Sequence, residues 1–292
     1  MSHYTCMVIG HNPEQQLEPY SEHIQTEPRV SGEVTEDDKN SMIEYYKNPE
    51  NGGLDLPFDE LYTEKGEDWN NNSWEKHDDV WVEVTTYNPK SKWDWYQLGG
   101  RWIGFLKLKE GATGEQGECG FMPKPAKEGY VDATTKGNID IAGMRKEAAD
   151  NAAEYYDKVY ELIKDTPQHT SWSEFIKKVE AEEFNFDIAR NQYHDQPRIK
   201  ALNTPEVREI VGYFVDADEF NVTKEEYVQQ ASNRALSTFA ILKDGEWYEK
   251  GKMGWWAMVT NEMEQKEWDE QVTKMFDELP DDTLISIYDC HI

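Results

Sequence analysis

The chain has 292 residues, among them 59 Asp or Glu against 30 Lys or Arg, and a formal net charge of −29 at pH 7. Such a surface repels a phosphate backbone, because nucleic-acid binders gain affinity by replacing counterions with basic side chains, so direct DNA or RNA binding is set aside. Eleven Trp, sixteen Tyr and ten Phe argue against disorder despite the charge, since acidic disordered chains lack the large rings that build a core.

The charge is uneven. Residues 1–87 carry 20 acids and 5 bases, residues 88–136 carry 6 and 8, residues 137–235 carry 20 and 12, and residues 236–292 carry 13 and 5. Cys6, Cys119 and Cys290 form no disulfide framework and leave an odd thiol, which fits a reducing cytosol. The first residues have no basic region ahead of an apolar run, and no stretch reaches bilayer-spanning length, so neither classical export nor a membrane partner is expected.

Thr5 to Gly10 reads as a buried strand closed by the turn residues Gly10 to Pro13. Residues 14–79 are acidic and broken by Pro28, Pro49, Pro57 and Asn-Gly-Gly. Only Thr35 to Lys47 reads as helix there, with Thr35 as N-cap and Met42, Ile43 and Tyr46 as its apolar stripe. The remainder reads as loop. Val80 to Thr86 alternates like a strand, and a second strand is expected from Gly100 to Leu108. Residues 110–137, with Gly111, Gly114, Gly117 and Gly120, read as a long loop or hairpin extension.

Ile141 to Asp165 is the clearest helix, since Met144, Ala148, Ala152, Tyr155, Val159, Leu162 and Ile163 recur at spacings of three and four. Shorter helices are expected from Ser171 and Thr223, each with Glu three residues on, and from Thr204 with Pro205 at its first position. Strands follow at Thr238 to Lys243, around Trp247 and Tyr248 after the Asp244-Gly245 turn, and from Gly254 to Val259. A helix over Glu264 to Glu278 and a strand over Thr283 to Asp289 close the chain.

The predicted fold class is α+β: a mixed, mostly antiparallel sheet formed by both chain ends, with a helical insertion. Residues 1–136 form the N-terminal part of the core with an acidic loop region at 14–79, residues 137–235 the insertion, and residues 236–292 the C-terminal part of the core. Trp95-Tyr96-x-x-Gly99 and Trp247-Tyr248-x-x-Gly251 repeat one pattern and suggest either a duplicated hairpin or coincidence.

Trp93 to Trp102 is the densest feature. Trp95, Tyr96, Arg101 and Trp102 form a candidate pocket in which rings and a guanidinium would hold a base or a partner loop. The competing reading makes the rings core and the two glycines a tight turn. His3, Cys6, Cys290 and His291 are zinc-ligand types near paired termini, but strand alternation sends half of them to each face, so no metal is expected. Asp216-Ala217-Asp218-Glu219 lacks the Gly and Glu of a calcium loop, Glu264-Gln265-Lys266 sits at a helix start rather than on a nuclease strand, and no nucleophile motif appears. No catalytic residue and no cofactor are assigned.

The blocks Ser2 to Gly10, Trp93 to Trp102, Lys252 to Trp256 and Asp281 to Ile292 resemble those of a family of phage and prophage proteins of mostly unassigned function. The size and acidity are similar to those of phage anti-defence proteins, including the anti-Gabija type, which bind a host nuclease complex and block its access to DNA. The resemblance implies a non-catalytic inhibitor whose partner is a host defence complex. Its candidate contact residues are Glu33, Glu36, Asp37, Asp38, Glu60, Glu67 and Asp68, with Trp69, Trp74 and Trp81 as ring anchors. The alternatives are an enzyme acting on a nucleotide or small molecule, and a structural or assembly protein forming a homo-oligomer.

Overall fold

The computed structural model describes residues 2–66, 73–120, 126–183, 185–211, 217–254 and 258–292. Its contacts divide into two units, Met1–Pro13 with Tyr96–His291, and Glu14–Trp95.

In the first unit the two chain ends meet. The apolar run His3–Ile9 pairs antiparallel with Leu284–His291 in a continuous register from His3 opposite His291 to Ile9 opposite Ile285. On its other side His3–Ile9 runs parallel to Ala240–Lys243, which turns through Asp244 and Gly245, both at positive φ, into Glu246–Glu249. Positive φ at both turn residues is what a tight two-residue hairpin requires, and it selects Asp-Gly. Beyond Leu284–His291 lie Trp95–Gly100 and Glu118–Cys119, and Ala133–Thr135 also pairs with it, giving a mixed seven-stranded sheet. The protein is thus α+β, with ten α-helices among the described residues.

Alternation places Met7, Ile9, Ile285 and Ile287 on one face of the sheet. There they form a buried cluster with Met144 of helix Ile141–Ile163 and with Trp268, Val272 and Phe276 of helix Gln265–Asp277. Trp268 is nearly inaccessible and satisfies its indole N–H on Thr238 O at 2.7 Å, as a buried ring of that size must. The helical insertion has its own core, where Tyr156, Val159 and Ile163 meet Ile199, Leu202, Val207 and Phe220. Buried Arg198 ties this core together through Thr166 O, Thr166 Oγ1 and Phe220 O.

The second unit corrects the reading of residues 14–79 as mostly loop. It holds a three-stranded antiparallel sheet, ordered Gln25–Glu33, Val80–Tyr87, Ser73–His77, with helices Pro13–Leu17, Glu36–Lys47 and Phe58–Lys65. Val34, Met42, Tyr46, Phe58, Leu61 and Trp74 form its core. A second anchor fixes its loops: Trp93 Nε1 donates to Leu17 O, and Asn88 Nδ2 donates to Pro19 O and Ser21 O.

Two further expectations shift. The strand placed at Gly100 to Leu108 instead runs over Trp95–Gly100, followed by a turn and a short Leu106–Lys107 strand. Lys252–Met253 pairs with Val259–Thr260, while residues 255–257 of the strand expected from Gly254 to Val259 lie outside the described residues.

Candidate functional site

Charge is concentrated in the second unit. Residues 14–95 carry 21 acids and 7 bases, so 82 residues hold about half of the chain's net charge. The structure separates these acids by what each one does. Asp38 caps its own helix: its Oδ2 accepts from Thr35 N at 2.9 Å and Thr35 Oγ1 at 2.6 Å, and these bonds hold its carboxyl below the ordinary value. Glu36 pairs with Lys39 at 2.6 Å. Asp59 receives Lys76 Nζ and Trp81 Nε1, which lower its pKa in that order. Glu33, Asp37 and Glu60, together with Glu44 and Glu64, are exposed and make no ion pair among the described residues.

The ring anchors fare differently. Trp74 is 7% exposed and stacks on Tyr62 in the core, so it is not available to a partner, which corrects the sequence reading. Trp81 is half-buried against Phe58 and Tyr62 with its indole N–H committed to Asp59. Glu67, Asp68, Trp69, Asp216, Trp255 and Trp256 lie outside the described residues.

The Trp93 to Trp102 segment does not assemble the expected pocket. Trp95 and Tyr96 are adjacent on one strand and so face opposite sides. Tyr96 packs edge-on against Tyr288, Trp95 and Arg101 are exposed, and Trp102 N donates to Gly99 O in a turn.

The glycines explain the motif. Gly99 and Gly100 have φ of +76° and +54°, a region L side chains rarely adopt, and each lies directly against a buried carboxylate. A β-carbon at Gly99 would stand 2.7 Å from Asp132 Oδ2, and one at Gly100 would stand 2.5 Å from Asp289 Oδ2. Both carboxylates have no exposure. Asp132 accepts from Gly104 N, Phe105 N, Gly117 N and Gln116 Nε2, gathering two loop segments on one side chain. Burial pushes its carboxyl above the ordinary value against the opposing pull of these donors. Gly117 runs so close to Leu98 O, and Gly114 so close to Ala133 O, that a β-carbon at either would overlap it, so the loop is packed backbone at these two positions.

Asp289 accepts from Arg101 N at 3.0 Å and meets His3 Nδ1 at 2.8 Å. Cross-strand register divides the four terminal metal-ligand types as alternation requires. His3 and His291 face each other on one side, ring centroids 4.7 Å apart. Cys6 and Cys290 share a hydrogen bond on the other, where burial foremost, and then Cys6, push the Cys290 thiol up. Among the described residues no group of three or more His, Cys, Asp or Glu is placed to hold a metal ion, and no helix is long and apolar enough to cross a membrane.

The bases of residues 88–136 are largely used internally. Lys107 and Lys127 converge with Tyr130 on Glu147, Lys109 Nζ donates to Gly137 O, and Lys136 Nζ donates to Asp277 O and Leu279 O at the C-terminus of helix Gln265–Asp277. Cations favour that end of a helix.

The sequence carries a signal for both Asp132 and Asp289. Each acid interrupts a run that alternation buries, Tyr130-Val131-Asp132-Ala133 and Ile287-Tyr288-Asp289-Cys290, and an acid at such a place must find donors.

No family model matches the chain, and no match is found among curated proteins or solved structures.

Proposed function

We propose that the protein acts by binding and not by catalysis, as a phage-encoded inhibitor whose acidic unit occupies the basic DNA-binding surface of a host defence complex of the Gabija nuclease type or similar. One observation carries this reading: about half of the net charge sits on 82 residues that form their own unit, with Glu33, Asp37, Glu44, Glu60 and Glu64 exposed and without an ion pair among the described residues. Carboxylates on such a surface steer it toward a positive groove and compete there with a phosphate backbone, an effect that weakens with salt. The resemblance of the blocks Ser2 to Gly10, Trp93 to Trp102, Lys252 to Trp256 and Asp281 to Ile292 to phage and prophage proteins suggests the biological setting, and the buried acids Asp132 and Asp289 accept hydrogen bonds from the fold itself, which suits a structural use of both.

The test is co-expression with host defence systems, scored by phage growth and by co-purification. The wild-type chain restores growth and retains a defence protein at low salt, and a variant carrying Gln or Asn at those five positions does neither while remaining folded. Restored growth with the five-position variant, or recovery of no defence protein by the wild type, overturns the proposal.

A further inference from the structure

A cleft of about 530 Å³ opens between three helices of the first unit. Helix Ile141–Ile163 contributes Arg145, helix Lys224–Arg234 contributes Asn233, and helix Gln265–Asp277 contributes Asp269, Glu270 and Lys274. A volume of this size suits a small molecule.

Asp269 is 4% exposed. Its Oδ1 accepts from Ser237 Oγ at 2.5 Å and Gln265 Nε2 at 2.8 Å, whereas its Oδ2 has only Arg234 Nε at 3.9 Å, beyond hydrogen-bond reach. A buried carboxylate therefore keeps one oxygen without a close donor. Arg145 makes no hydrogen bond or ion pair among the described residues, and its Nε is shut off from solvent. As a residue of the cleft wall whose guanidinium has no protein partner among the described residues, Arg145 is a candidate to meet what fills the cleft. Lys274 on the facing helix also makes no ion pair among the described residues. Two cations without an ion pair among the described residues thus line the same cleft as a buried acid whose Oδ2 has no close donor and whose nearest cation, Arg234, stands 3.9 Å away.

We infer that this cleft binds a free α-amino acid, its carboxylate taken by Arg145 and Lys274 and its ammonium by Asp269. A guanidinium forks onto a carboxylate in two parallel bonds, and a buried acid is the natural partner of an ammonium. The exposed acids Glu270, Asp277 and Glu278 around the same cleft repel a simple anion such as phosphate. A zwitterion meets less of that repulsion because it carries no net charge.

The experiment is a titration of the full chain with each of the common L-amino acids singly, by thermal shift and calorimetry, with propionate and propylammonium as single-charge controls. At least one amino acid raises Tm saturably and neither control does. Arg145→Gln and Lys274→Gln each weaken that binding 10-fold or more, and Lys274, on the helix surface, can be changed without disturbing the core. The inference is overturned if no amino acid shifts Tm at about 100 times a micromolar-to-millimolar Kd, if propionate binds as tightly, or if Lys274→Gln leaves affinity unchanged.

Discussion

Gly99 and Asp132 occupy adjoining space so closely that a β-carbon on the glycine would stand 2.7 Å from Asp132 Oδ2, and the next pair, Gly100 and Asp289, repeats the arrangement. The tryptophan-rich segment is therefore shaped by two carboxylates beneath it. The first prediction concerns this contact. Gly100→Ala meets both a positive φ and the Asp289 side chain, and costs about 2–4 kcal/mol. Gly111→Ala, at φ +75° but with open space around it, costs only the backbone part, about 1–2 kcal/mol. Urea denaturation of the two variants measures the difference.

Asp132 and Asp38 have opposite pH behaviour. Asp132 is raised on folding, so the folded chain holds its proton more tightly. Stability from this group is greatest below the unfolded value of about 3.9 and falls as pH rises from there through the raised folded value. Asp38 is lowered by its bonds to Thr35, so its contribution is present above about 3.9 and is lost as pH falls through the folded value. Asp132→Asn therefore flattens the decline with rising pH, and Asp38→Asn flattens the decline with falling pH. Denaturation midpoints from pH 3 upward, compared with wild type, check both signs.

Asp132→Asn has a second effect at neutral pH. The amide places its own N–H groups against backbone donors, leaving Gly117 N or Gly104 N without an acceptor, at a cost of about 1–3 kcal/mol for each. The change appears as faster amide exchange at those positions.

Trp74 and Glu60 separate core from surface in the acidic unit. Trp74→Ala removes a stacked, buried ring and costs about 3–5 kcal/mol. Glu60→Gln leaves stability within about 0.5 kcal/mol. Thermal unfolding followed by tryptophan fluorescence distinguishes the two; equal effects would mean that Trp74 is not a core residue.

The parts readable from the chain are those where one physical signal dominates. Thr5 to Gly10 and Thr283 to Asp289 are apolar runs too short for helices, and they pair as the centre of the sheet. Thr35 and Thr223 form complete capping boxes with Asp38 and Glu226. Ser171 forms only the forward bond, because the Glu174 carboxylate is drawn to Lys177.

Gln25–Glu33 was illegible for a specific reason. It is a polar edge strand containing Pro28, and its register shifts between Gln25 and Arg29 where the proline sits. Edge position and irregular pairing are the conditions under which a strand tolerates proline, and they also erase alternation. The site was harder still. Acids at 33, 37 and 60 look alike in sequence to Asp38 and Asp59, and only their neighbours reveal which carboxylates the fold has engaged. The cleft residues Arg145, Asp269 and Lys274 come from two helices far apart in the chain, so no local pattern announces them.

The pairing of His3–Ile9 with Leu284–His291 has a consequence for biosynthesis. His3 and Asp289 touch across 286 positions of sequence, so the middle of the main sheet lacks a strand until Leu284–His291 has left the ribosome. The acidic unit closes on contacts within one early stretch and can mature while the sheet waits. During that interval the nascent His3–Ile9 strand is an apolar edge in search of a partner, and the negative charge synthesised just after it is the nearest safeguard against aggregation.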